Sequence, residues 1–94
     1  MSDIPVGFAG MQAMRMKGMT LAEAIREAVG GYERLFPGKP DICYVLQKEF
    51  DAALEDPEEN GELAKVCEMV QVMPIEKGLP SRHVMAGRDG IDEN

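Results

Sequence analysis

The sequence is short of most of what active sites are built from. Its 94 residues include no tryptophan, one histidine (His83), two cysteines (Cys43 and Cys67) and two serines (Ser2 and Ser81). Neither serine sits in a nucleophile elbow, and no HExxH pair or phosphate-cradling glycine loop occurs. Two cysteines do not make a disulfide framework, so the thiols are expected reduced and the chain cytoplasmic. Positive charge is scarce as well. Ten Lys and Arg against seventeen Asp and Glu leave a net charge of −7, which repels phosphate backbones and anionic lipid. Nucleic acid and membrane surfaces are therefore excluded as expected partners. The longest uncharged stretch, Ile4 to Met14, is interrupted by Pro5, Gly7, Gly10 and Gln12 and falls short of the ~17 apolar residues of a spanning helix. Asp3 is the only charge before Arg15, so the basic start of a signal peptide is missing.

What is present fits one small folded domain. Hydrophobic residues make up 45% of the chain and charged ones 29%, which argues against disorder. At this length about 64% of the unfolded surface can be buried, enough for a single modest core. Residues 1–19 carry four methionines (Met11, Met14, Met16 and Met19, besides the initial one), three glycines and Pro5 without a clear period, and are expected to form an arm that docks on a partner. Residues 20–87 form the single domain, and 88–94 a polar tail.

The expected fold is α+β. Thr20-Leu21-Ala22-Glu23 fits a capping box. The apolar residues from Leu21 through Ile25, Val29 and Tyr32 to Leu35 and Phe36 then recur at helical spacing, with charges opposite. This predicts a helix over 21–35, continuous through Gly30-Gly31 and stopped by Pro37-Gly38. Asp41 to Leu46 reads as a strand covered on both faces, and Leu46, Phe50, Ala53 and Leu54 as a helix over 47–55 ended by Pro57. A turn at Asn60-Gly61 follows, then a strand over Val66–Met73, a loop over Pro74–Pro80 and a third strand over Arg82–Gly87. The order helix-strand-helix-strand-strand predicts a three-stranded mixed sheet with helices on at least one face. Its first two strands are parallel through a crossover and its last two form a hairpin. Two open sheet edges favour pairing with a copy of the chain.

Four site readings compete. Cys43 and Cys67, at the starts of two parallel strands, form a thiol pair for metal or redox chemistry, with His83 as third ligand. A hairpin centred near Lys77, however, sets His83 opposite Gln71, roughly 13 Å along the strand from Cys67. The same residues as a cysteine hydrolase require an electropositive thiol environment, whereas Cys43 lies in an apolar run. Met11, Met14, Met16 and Met19 are spaced like a copper(I) thioether cluster, but Arg15 and Lys17 intervene; adaptable apolar contacts with a partner are the expected role. Asp56 to Gly61 resembles the first half of a calcium loop, yet its twelfth position is Cys67 in place of the bidentate glutamate. The sequence alone thus points to a non-enzymatic, self-associating protein-interaction module without a cofactor. The alternative is a metal- or small-ligand-binding module using Cys43, Cys67 and His83 or the methionine arm.

Overall fold

The computed structural model describes residues 10–88. In chain order the elements are β1 (Gly10–Met14), α1 (Leu21–Leu35), β2 (Ile42–Leu46), α2 (Gln47–Glu55), α3 (Pro57–Met69), β3 (Gln71–Ile75) and β4 (His83–Gly87). The fold is α+β, with three helices and a four-stranded mixed sheet among the described residues. Residues 1–9 of the expected arm and 89–94 of the expected tail lie outside them.

The strand order is β1-β4-β2-β3. β2 and β3 run parallel with Cys43 opposite Val72, while β4 is antiparallel to β2, with Cys43 opposite Ala86, and to β1, with Ala13 opposite Val84. Side chains alternate across a strand, so one face of the sheet is set by Cys43, Val45, Val84 and Ala86. These are buried together with Leu21, Ile25 and Val29 of α1, Ala53 of α2 and Leu63 and Val66 of α3. All three helices therefore cover the same face.

α1 has the expected bounds. The Thr20 hydroxyl accepts from the Glu23 amide at 3.1 Å and Glu23 Oε1 accepts from the Thr20 amide at 3.0 Å, completing the capping box. The helix runs through Gly30-Gly31, and the second glycine has a packing reason. A Cβ on Gly31 would lie 2.9 Å from Met11 Cγ, so the glycine is a notch that seats the β1 methionine against the helix. Leu35 departs from the expected apolar stripe, being 68% exposed. At the end of the helix Phe36 turns back to stack on Tyr32, with ring centroids 4.6 Å apart.

Three expectations are corrected. First, the sheet has four strands, because Gly10–Met14 within the expected arm is an edge strand. Its alternation is legible afterwards, Met11 and Ala13 toward the helices and Gln12 and Met14 away, but none of its residues is β-branched or aromatic. Second, Val66–Met73 is not a strand. Asp56 accepts from the Glu58 and Glu59 amides, and Pro57 occupies the first helical turn, where a missing N–H costs nothing. Pro57 thus starts α3 as well as closing α2, Asn60-Gly61 lies inside a helix, and the strand begins only at Gln71. Pro74, assigned to a loop, sits in β3, an edge strand that tolerates a residue without a donor. Third, the last two strands form no hairpin. β4 crosses back to the other side of β2, which is buried on both faces and needs a neighbour on each edge.

The glycines give a stability test. Gly30→Ala meets only an ordinary 3.7 Å contact with Arg34 Nη1, and Gly61→Ala meets nothing within 4 Å. Each is expected to stabilise by up to about 1 kcal/mol in urea unfolding, the cost of a mid-helix glycine. Gly31→Ala should destabilise the native chain yet stabilise a Met11→Ala background, a coupling that a double-mutant cycle reads directly.

Candidate functional site

The sheet face turned away from the helices is unusual in its composition. β1 contributes Gly10, Gln12 and Met14, β4 contributes His83, Met85 and Gly87, β2 contributes Ile42, Tyr44 and Leu46, and β3 contributes Gln71, Met73 and Ile75. None is Asp, Glu, Lys or Arg, in a chain that is 29% charged. The centre of this face is a second apolar cluster: Ile42, Tyr44 and Ile75 are buried, with Met73 and Leu79 packed on them. Toward β1 the face opens. Met85 and His83 are half-buried, Gln12 is exposed and Met14 is 48% exposed. No helix among the described residues lies on this side.

The expected ligands are not brought together. Cys43 is buried on the helix-covered face of β2, Cys67 is exposed on α3, and His83 belongs to the opposite sheet face. His83 is three residues from the Ala86 that pairs with Cys43, roughly 10 Å along the strand, and it faces the other way. Its Nδ1 lies 2.9 Å from the Ser81 carbonyl, which can only accept, so that nitrogen carries the proton. Among the described residues no group of three or more His, Cys, Asp or Glu is placed to hold a metal ion. The Asp56–Gly61 calcium reading fails with the helix, since the Asp56 carboxylate caps α3. Burial pushes the Cys43 thiol up to about 12, against a smaller opposing effect from a backbone hydrogen bond with Met85, and desolvation also raises Cys67. Neither thiol is activated as a nucleophile.

The methionines divide between roles. Met11 fills the Gly31 notch, and Met19 Sδ accepts from the Met16 amide at 3.3 Å. Met14 and Met16 are exposed.

Sequence reasoning missed a polar knot that joins β1, α2 and the start of β4. The Arg15 amide donates to the Arg82 carbonyl at 2.6 Å, and Arg82 Nε donates back to the Arg15 carbonyl at 2.9 Å. Glu49 Oε2 accepts from the Arg82 amide at 2.7 Å, and its Oε1 lies 3.7 Å from Arg15 Nη2. Arg82 holds a left-handed backbone, φ 66°, an unfavourable conformation for a side-chain-bearing residue that these bonds enforce. Only a long-range contact map brings residues 15, 49 and 82 together, so no local signal reveals them. Beside the knot, at the ends of the parallel strands, lies a cleft of ≈ 450 Å³ whose walls include Lys48 and Lys77 but also Asp51 and Glu76. Its charges balance, and Gln47 is already bonded to Asp51 at 2.9 Å.

No helix among the described residues is long and apolar enough to cross a membrane. No family model, curated protein or solved structure matches the chain.

Three measurements follow from these environments. A thiol reagent at neutral pH should modify Cys67 promptly and Cys43 only on unfolding. Because the unfolded Cys43 thiol ionises near 9.0 and the folded one near 12, unfolding releases a proton between those values, and stability falls as pH rises through that window. The slope of the urea midpoint above pH 9 should be shallower in Cys43→Ala; an unchanged slope would show that the buried thiol does not contribute. Removing Glu49 strands the Arg82 amide and the Arg15 guanidinium, so Glu49→Ala should cost about 1–3 kcal/mol, and Glu49→Gln less, because its amide oxygen still accepts from Arg82.

Proposed function

We propose that this chain is a small non-enzymatic protein-interaction module of the cytoplasm whose first partner is another copy of itself. The observation that carries the reading is a continuous uncharged surface that runs from the outer edge of β1 onto the second sheet face, on a molecule of net charge −7. Two such molecules repel over most of their surface, and that repulsion is least along the neutral edge of β1. Methionines at the accessible end of this surface suit it to contact, since their unbranched thioethers fill irregular gaps. The unactivated thiols and the charge-balanced cleft favour binding over chemistry.

Light scattering after gel filtration across a concentration series tests the reading. A dimer or larger species is expected, weakened but not abolished at high salt, because most of the contact is neutral. A strict monomer at the highest attainable concentration rejects it.

A further inference from the structure

We infer that β1 pairs antiparallel with β1 of a second copy, joining two sheets into one of eight strands. The inference rests on the self-association proposed above and specifies its geometry.

The backbone of β1 is prepared for this. Arg15 and Arg82 extend the β1–β4 register and are hydrogen-bonded, so in an antiparallel ladder the odd-numbered residues of β1 face β4 and Gly10, Gln12 and Met14 face outward. No strand among the described residues lies on that side. The edge also lacks the devices that block pairing: it has no proline and no charge, whereas the opposite edge strand, β3, carries Pro74 and runs into Glu76 and Lys77. With a two-fold axis at Gln12, hydrogen bonds form between Gln12 and its copy, and between Gly10 and Met14 of the second copy in both directions. Every side chain on these strands is neutral.

The helix layer fits the same axis. α1 packs over both β1 and β4, so its axis lies about half a strand spacing inside β1. Across the new edge the two α1 helices come to about 9.6 Å apart, from a strand spacing of about 4.8 Å, within the 8–10 Å of packed helices. A groove of ≈ 420 Å³ between β1 and α1 carries Glu27, Arg34 and Leu35 on its helical wall. Glu27 and Arg34 make no ion pair within the described residues. They lie on opposite sides of the Gly31–Met11 contact, and the two-fold axis therefore sets Glu27 beside Arg34 of the second copy, twice. Leu35, 68% exposed in the single chain, gains cover in the same contact.

Charge reversal tests this without touching the core. The dissociation constant of the native dimer should rise at least tenfold in Glu27→Arg, which sets like charges together, and recover in the double variant Glu27→Arg, Arg34→Glu. Gln12→Pro, at an outward-facing backbone position, should also dissociate the dimer while circular dichroism stays native. If the native chain dimerises and none of these variants alters the dimer, the β1 edge is not the interface, although self-association stands. If the native chain is monomeric, both proposals fall.

Discussion

A strand whose residues are buried on both faces must have its backbone hydrogen-bonded on both edges, because an unpaired peptide group away from water costs as much as a lost bond. β2 meets that condition. Ile42, Cys43, Tyr44 and Val45 are all buried, and the strand lies between β3 and β4. Much of the fold answers to this requirement. The crossover through α2 and α3 brings β3 alongside in parallel, and β4 is drawn to the other edge. That leaves β1 to join at the rim, and it leaves Pro74 where its missing donor does no harm.

The sheet is consequently asymmetric in two senses. Helices cover one face, and the other holds a smaller apolar cluster under Met73 and Leu79. One edge is blunted by a proline, and the other is a short neutral strand under a helix with an exposed leucine. In an acidic protein these differences also separate the surfaces by charge: the helices carry many of the charged side chains, and the β1 rim is neutral.

How much of this was legible in the sequence depended on how local each cause is. α1 was readable to its ends because its capping box and apolar stripe are written within the consecutive residues Thr20–Leu35. The bounds of α2 were equally plain. α3 was misread because Pro57 admits two meanings, a stop for the preceding helix and a first-turn residue of the next. Only the Asp56 side chain, bonded to the amides beyond it, decides between them. β1 was missed because five residues without branching or aromaticity gain strand character only from a partner about seventy positions away. The place of β4 is likewise non-local, since it follows from the double burial of β2 and not from the nearest strand in sequence. For the candidate site, the absence of a catalytic set was readable from composition, as was the reason to look for neutral contact surface. The Arg15–Glu49–Arg82 knot was not, because each member is an ordinary polar residue until the chain folds.

The pairing of the first described strand with the last has a consequence for handling the molecule. Gly10 stands opposite Gly87, so the described chain enters and leaves the sheet at the same corner. A brief linker from Gly87 to Gly10 in place of the segments outside them would then close residues 10–87 into a ring, and fresh termini opened in the segment between β3 and β4 would leave each described strand and helix whole. Such a permutant would carry the N-terminal strand in mid-sequence, beside its neighbour, and would turn the longest-range pairing of the sheet into a local one.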